Sequence, residues 1–243
     1  MKNRVAMITG ASVGIGRAVA LQMAEKGAKL VLLDMNQETL AQLEEELKAY
    51  NTEVMAFVCD VSDEQAVNEA VQAATEKFGG IDILVNNAAI WRVRNLFWNN
   101  SIETWRKLFD VNVMGVVYCT NAVLPKMMEK GYGRIVNVAS VAGVYGNANM
   151  SVYSTTKGAL IAMSKSLAKE VVEKGIVVNA VSPGMVSPSA ELDMEYTKET
   201  NKCYAGRTGS DRENADLICF LASEKNGYIV GQNIQIDGCR KEI

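Results

Sequence analysis

The 243-residue chain contains no histidine. That absence excludes Ser-His-Asp and Cys-His nucleophile systems, and every zinc site that relies on imidazole. Proline is nearly as scarce: there are three, and two of them, Pro183 and Pro188, bracket one loop. No linker rich in Pro, Gly or Ser, no low-complexity tract and no strong repeat divides the chain, so a single domain over residues 1–243 is expected. The five cysteines (Cys59, Cys119, Cys203, Cys219, Cys239) are odd in number and form no C-x-x-C pair. Such scattering points to reduced thiols in a reducing compartment. No apolar stretch approaches the 18 residues of a membrane span, and Val5-Ala6-Met7-Ile8 starts a strand pattern too early for a signal peptide; a cytoplasmic protein without a membrane partner is expected. Lys and Arg number 25 against 28 Asp and Glu, a net charge of −3 with no long run of one sign. Nucleic acid is therefore not an expected partner.

What is present is a strict alternation. Short β-branched runs predict strands over residues 5–9, 30–34, 54–59, 83–86, 134–139, 176–182 and 233–236. Amphipathic segments predict helices over 15–26, 37–50, 64–78, a long one from about Ser101, then 152–174 and 211–222. Polar, weakly periodic residues 187–207 are expected to be helical without fixed ends. Nearly continuous apolar strands alternating with helices imply an α/β protein, a parallel sheet covered on both faces.

Between the first strand and helix stands Thr9-Gly10-Ala11-Ser12-Val13-Gly14-Ile15-Gly16. Glycines there let the backbone turn tightly and approach a pyrophosphate, with helix N-terminal amides aimed at the anion. The octet is not a P-loop, because no Gly-Lys-Ser/Thr follows. Asp34 ends the second strand, 18 residues after Gly16. A carboxylate there accepts hydrogen bonds from ribose hydroxyls and repels a 2′-phosphate, while Val13 and Met35 offer that phosphate no cation; NAD(H) is favoured over NADP(H). The alternative, an Asp that caps the next helix, competes with Asn36 for that role.

Tyr153 and Lys157 lie four residues apart, on one helix face, and Ser140 ends the fifth strand, where ligands of open α/β sheets sit. A phenol of pKa near 10 is a poor base at neutral pH, and lowering it by three units takes roughly 4 kcal/mol of differential interaction. A neighbouring ammonium and a cationic nicotinamide ring both favour the phenolate.

Taken together, the chain resembles the short-chain dehydrogenase/reductase family. Thr9, Gly10, Gly14 and Gly16 match its T-G-x-x-x-G-x-G turn, Asp60-Val61 its adenine-contacting pair, and Pro183-Gly184 the loop after strand six. Asn86-Asn87-Ala88-Ala89 departs from the usual Asn-Asn-Ala-Gly only at Ala89. Asn112, Ser140, Tyr153 and Lys157 match the catalytic tetrad. The resemblance implies a Rossmann-like doubly wound sheet of about seven strands and hydride transfer between a nicotinamide dinucleotide and a secondary alcohol or ketone. Tyr153 is then the general acid/base, Ser140 orients the substrate oxygen, Lys157 lowers the tyrosine pKa and binds the nicotinamide ribose, and Asn112 holds a relay water. Gly10, Ser12, Gly14, Ile15, Gly16, Asp34, Asp60, Val61, Asn87, Ala88, Tyr153, Lys157, Pro183, Gly184 and Val186 are the implied cofactor contacts. No metal is expected, and a homotetramer is implied. A non-catalytic dinucleotide sensor is the alternative of another class; retention of all four tetrad residues disfavours it.

Two substrate classes compete. Overall pattern resembles 3-oxoacyl-(acyl carrier protein) reductases, yet Asp34 opposes their usual NADPH preference. Lys174 is available to dock a carrier, but Gly131 and Tyr132 leave the basic patch incomplete. Asn147-Ala148-Asn149-Met150 before Tyr153 resembles bacterial hydroxysteroid dehydrogenases instead, and Asn147, Met150 and Met185 are expected substrate contacts beside Ser140 and Tyr153. Trp91, Val93, Val144, Tyr145 and Val186 are available to line an apolar slot, with Arg92 or Arg94 for a side-chain carboxylate. Turn geometry alone would equally explain the two asparagines. The steroid reading is preferred over the acyl thioester. Trp98 and Trp105 are expected to be packing residues.

Overall fold

Strand Val5–Thr9 (β1) sends Ala6 and Ile8 into one hydrophobic core and Val5 and Met7 into another. Lys29–Asp34 (β2) repeats the division, Leu30 and Leu32 against Val31 and Leu33. A strand that is apolar on both faces has to be covered on both, which is why the period-2 alternation is invisible as polarity. The computed structural model describes residues 1–187 and 193–241.

The remaining strands are Val54–Val58 (β3), Ile83–Asn86 (β4), Gly133–Val138 (β5), Ile176–Pro183 (β6) and Asn233–Ile236 (β7). They form one sheet in the order β3-β2-β1-β4-β5-β6-β7, with every pairing parallel. Helices Gly14–Glu25 (α1), Gln37–Leu47 (α2) and Asp211–Leu221 (α8) supply Ala18, Val19, Leu40, Leu43 and Ile218 to the first core. Glu64–Phe78 (α3), Gly115–Lys130 (α5) and Ser151–Val171 (α7) supply Val67, Val71, Val123, Met127 and Val171 to the second. Ile102–Phe109 (α4) and Val141–Tyr145 (α6) complete the helices used below. Each fully buried aliphatic side chain contributes about 1.5–3 kcal/mol. Strand order reverses at β1, between β2 and β4, and a crevice opens there beyond the carboxyl ends of the strands.

Several boundaries differ from the sequence expectation. The helix expected over 37–50 is α-helical only to Leu47; a 3₁₀ turn, Lys48–Tyr50, ends it at Asn51, whose φ of 50° is left-handed. The long helix from Ser101 is not continuous: a π turn, Asp110–Met114, separates α4 from α5. By mean hydropathy of 1.3, Ile102–Lys130 is long and apolar enough to span a membrane, contrary to the expectation. Its Cys119, Val123 and Met127 are buried in the second core, which makes the segment a core helix of an α/β protein. Residues 187–207 were expected to be helical. Among the described ones, 193–207 contain turns and isolated bridges and no helix, since the polar run offers no apolar face to bury; 188–192 lie outside the described residues. Trp105 packs as expected, edge-on to Phe97 and stacked on Phe109, but Trp98 is 76% exposed and contributes to no core.

Candidate active site

The turn after β1 is built for close approach. Gly10 and Gly14 have φ of 59° and 58°, conformations that favour glycine. Gly16 packs under them so tightly that a Cβ would lie 2.0 Å from the Gly10 carbonyl oxygen. Helices α2, α3, α4 and α8 are capped by the side chains of Asn36, Asp63, Ser101 and Ser210. Helix α1 follows Val13, which gives it no side-chain cap, and has no acid in its first turn. Its first amides therefore suit an external anion. A Cβ at Gly14 would meet only Asp211 Oδ1, at 3.8 Å. Burial pushes Asp211 up to about 6, opposed by Arg17, so the acid beside this turn is easily neutralised.

Asp34 is oriented by two backbone donors: Ser12 N–H to Oδ2 at 2.9 Å and Asn36 N–H to Oδ1 at 3.0 Å. Asn36, not Asp34, caps α2. Met35 beside it is exposed, and Arg17 is bonded to Glu46. The turn is tied to the segment after β4 by Thr9 Oγ1, which accepts from the Asn87 and Ala88 amides, and by Asn87 Nδ2, which donates to the Thr9 and Gly10 carbonyls.

These pieces form one end of a cavity of about 1450 Å³, with Gly10, Gly14, Ile15, Asp34, Asp60, Val61, Asn87 and Ala88 on its wall. Ser140, Asn147, Met150, Tyr153, Lys157, Pro183, Gly184, Met185 and Val186 line the rest, together with Trp91, Arg92 and Arg94. Three expected site residues lie behind the wall. Ser12 is buried with its hydroxyl on Thr39, Gly16 is the packing contact already described, and Asn112 sits beneath. Val93, Val144 and Tyr145 are likewise not on the wall.

Ser140 follows β5 and caps α6, accepting the Ala142 amide at 3.1 Å; it shares the cavity wall with Tyr153. The two groups come together because α6 packs backbone-to-backbone on α7. A Cβ at Gly143 would lie 2.6 Å from both the Gly158 nitrogen and the Lys157 carbonyl carbon. Lys157 is buried and donates to the Val138 carbonyl at 2.6 Å, its ammonium 5.8 Å from the centre of the Tyr153 ring. Burial pulls the lysine down to about 7 and pushes the tyrosine up, with only Ser140 opposing the latter. Within the protein alone, burial favours the neutral form of both groups, since each charge is costly in a dry site.

Asn112 is fully buried at the π turn. The π turn aims its side chain at Ile90: Oδ1 accepts the Ile90 amide at 2.7 Å, and Nδ2 donates to the Ile90 carbonyl at 2.9 Å and to Thr156 Oγ1 at 3.1 Å. It clamps the loop after β4 to α7, beside Lys157. Thr9 and Gly143, which sequence reasoning did not place in the site, fix its halves. Among the described residues no cluster of metal-ligating side chains occurs.

A lysine whose folded pKa is near 7 and ordinary value 10.5 binds fewer protons folded than unfolded between those values, so stability rises with pH across that window and the burial cost is full below it. Replacing Lys157 by Met should therefore move the melting temperature, relative to the parent and without added dinucleotide, in the variant's favour as pH falls from 10 to 6. A pH-independent difference would contradict the burial argument.

The family model described as short chain dehydrogenase matches residues 4–201. The chain is 39% identical over 241 residues to the 3-oxoacyl-(acyl-carrier-protein) reductase FabG of Thermotoga maritima, covering 98% of each. It is 36% identical over 242 residues to the 2-dehydro-3-deoxy-L-rhamnonate dehydrogenase (NAD(+)) of a Sphingomonas species, covering 98% of this chain and 95% of the relative. Among solved structures, an NAD⁺-bound xylitol dehydrogenase superimposes with a TM-score of 0.90 at 33% identity over 98% of both chains. The L-sorbose reductase of Gluconobacter frateurii, complexed with NADPH and L-sorbose, gives 0.92 at 30% identity over 100% of this chain and 98% of the other. The matched family, the sheet order and the turn between β1 and α1 agree: the chain belongs to the short-chain dehydrogenase/reductase family, oxidoreductases that bind a nicotinamide dinucleotide.

Proposed function

We propose that the protein is an NAD(H)-preferring reductase of 3-oxoacyl groups, working through Ser140, Tyr153 and Lys157. The observation that carries this reading is the meeting of Ser140, Tyr153 and Lys157 on the wall of the cavity that the glycine turn also lines. When bound, the dinucleotide supplies or accepts a hydride at its nicotinamide ring. Gly10, Gly14, Ile15, Asp34, Asp60 and Val61 would hold it, and the uncapped start of α1 with the open face at Gly14 fits a pyrophosphate. Ser140 donates a hydrogen bond to the ketone oxygen and orients it. Tyr153, kept protonated by burial, delivers the proton to that oxygen. Lys157, one helical turn away with its pKa drawn down to about 7, takes up and releases a proton at neutral pH and so returns one to the phenol.

Relatives acting on 3-oxoacyl carriers support the acyl substrate over the hydroxysteroid. The steroid reading keeps one support, the apolar Trp91, Met150, Met185 and Val186 on the cavity wall. NADH oxidation with an acetoacetyl thioester and with a panel of keto-steroids separates them. Turnover of the thioester alone is the expected result, and turnover of a steroid alone would reverse the assignment. The same reading includes a homotetramer, for which exposed Phe97, Trp98 and Ile102 offer apolar surface to bury between copies.

The NAD(H) preference rests on Asp34, whose orientation by Ser12 and Asn36 sets a carboxylate where a 2′-phosphate would lie. Like charges brought together cost several kcal/mol. Asp34→Ala should narrow the ratio of kcat/KM for NADH over NADPH by tenfold or more, mostly through KM for NADPH. A parent enzyme that prefers NADPH would refute this reading of Asp34.

A further inference from the structure

Past β7 the chain doubles back over the substrate end of the cavity. Gly238 and Cys239 both have left-handed φ, 63° and 59°; Cys239 stands where the family frequently has glycine, the residue such a φ favours. Asp237 Oδ1 accepts the Cys239 amide at 3.0 Å and the Arg240 amide at 3.4 Å, which closes the turn. The returning segment lies antiparallel to residues 202–205: the Tyr204 amide donates to the Cys239 carbonyl, Ala205 to Gly238, and Lys241 to Lys202. This arrangement delivers one side chain, Arg240, to the cavity wall.

The guanidinium is held from two sides. Nη2 donates to Asn147 Oδ1 at 2.8 Å, and the Tyr145 ring lies 5.5 Å away. Asn147 is itself anchored beside the reacting tyrosine, since its amide donates to Ser154 Oγ at 3.3 Å. Arg4, Arg17, Arg207 and Arg212 each face a carboxylate. Arg240 faces none among the described residues, although it is half-buried. Among the described residues its nearest acid in sequence is Asp237, whose Oδ1 is occupied by the Cys239 and Arg240 amides. Arg92 and Arg94 line the same end of the cavity, in the loop tied to the asparagine segment by Asn95 N–H to the Asn149 carbonyl at 2.9 Å. Lys202 adds a fourth cation. Of the acids on the cavity wall, Asp34 and Asp60 lie toward the adenosine end, Asp211 at the phosphate turn, and Asp237 beside Arg240, its Oδ1 held by the Cys239 and Arg240 amides. A concave surface with an excess of one sign focuses its field on an oppositely charged ligand, and a positioned guanidinium matches the fork of an oxyanion.

We propose that Arg240 is a specificity-determining residue that binds an oxyanion carried by the ketone substrate, with Asn147 fixing the geometry of its fork. The inference rests on the ketoreductase reading and narrows its substrate class to anionic ketones: either a free 3-oxo carboxylate or a 3-oxoacyl group on a phosphorylated carrier arm. Sequence reasoning assigned Asn147 to the substrate but had no access to its partner 93 positions away.

Two matched pairs test it: acetoacetate with methyl acetoacetate, and acetoacetyl-coenzyme A with neutral acetoacetyl-N-acetylcysteamine. In the parent enzyme kcat/KM should favour the anionic member of at least one pair. In Arg240→Gln that ratio should fall tenfold or more, through KM and with kcat little changed, and Arg240→Lys should recover part of it. The pair that responds identifies the source of the oxyanion. Ratios near one in the parent, or ratios unmoved by Arg240→Gln, would overturn the proposal while leaving the reductase reading intact. If no ketone is turned over, calorimetric titration of acetoacetate into the NADH complex decides separately. Binding weakened tenfold by Arg240→Gln would sustain the anion site without the reductase reading. Absent or unaltered binding would overturn it.

Discussion

Tyr153→Phe should lower kcat for ketone reduction by about 10²–10⁴-fold, the range a general acid supplies, while NADH affinity changes less than threefold. The substitution removes one oxygen and conserves the ring, so neither a cavity nor an overpacked contact results. Ser140 keeps its bond from the Ala142 amide and still holds the ketone oxygen, but no proton reaches that oxygen from the wall. The buried ammonium of Lys157 is bonded to the Val138 carbonyl and does not replace the phenol. Single-turnover rates and a fluorescence titration with NADH read the two quantities independently. Retained turnover would remove Tyr153 from the proton transfer, and a parallel loss of binding would mean that the phenol is structural.

Gly16→Ala should abolish dinucleotide binding at ordinary concentrations, a loss of at least about 100-fold in affinity, or roughly 2.7 kcal/mol. The added methyl would sit 2.0 Å from the Gly10 oxygen, 2.9 Å from the Gly10 carbonyl carbon and 2.7 Å from Asn87 Nδ2. Two of these are backbone atoms, and the amide of Asn87 is itself committed to the Thr9 and Gly10 carbonyls. Nothing at the contact is the free end of a flexible side chain, so the whole turn has to shift, and with it the amides that face the phosphates. Gly227→Ala, where a methyl meets nothing within 4 Å, is the matched control and should leave affinity unchanged. Normal NADH binding by Gly16→Ala would show that the tight turn is dispensable.

The parallel sheet was legible because its strands are apolar on both faces, and the period of four between Tyr153 and Lys157 was legible because both lie on one uninterrupted helix. The glycine turn needed only its position after β1. What escaped was of two physical kinds. Contacts between distant segments leave no local trace: Asn147 with Arg240 and Asn112 with Ile90 are such pairs. Departures from ideal helical geometry are the other kind. The π turn at Asp110–Met114 interrupts the helix without altering composition, so a straight helix was the natural reading. Residues 193–207 failed for the opposite reason. They are polar enough to suggest a surface helix, yet their hydrogen bonds go to the returning C-terminal segment and to each other.

The close seat of Gly143 on Lys157 and Gly158 has a consequence for how the enzyme diversifies. Because α6 and α7 meet backbone to backbone, the elements bearing the serine, the tyrosine and the lysine form one rigid body with little freedom to adjust to a bulkier or more polar ligand. Accommodation falls to the opposite rim, the loop after β4 and residues 193–207, which hold no regular helix or strand apart from a 3₁₀ turn and are tied down largely by isolated hydrogen bonds. Mutational drift on that rim changes which ketone is accepted and leaves the proton-transfer apparatus untouched. Selectivity and rate are thereby inherited as separate traits within one chain.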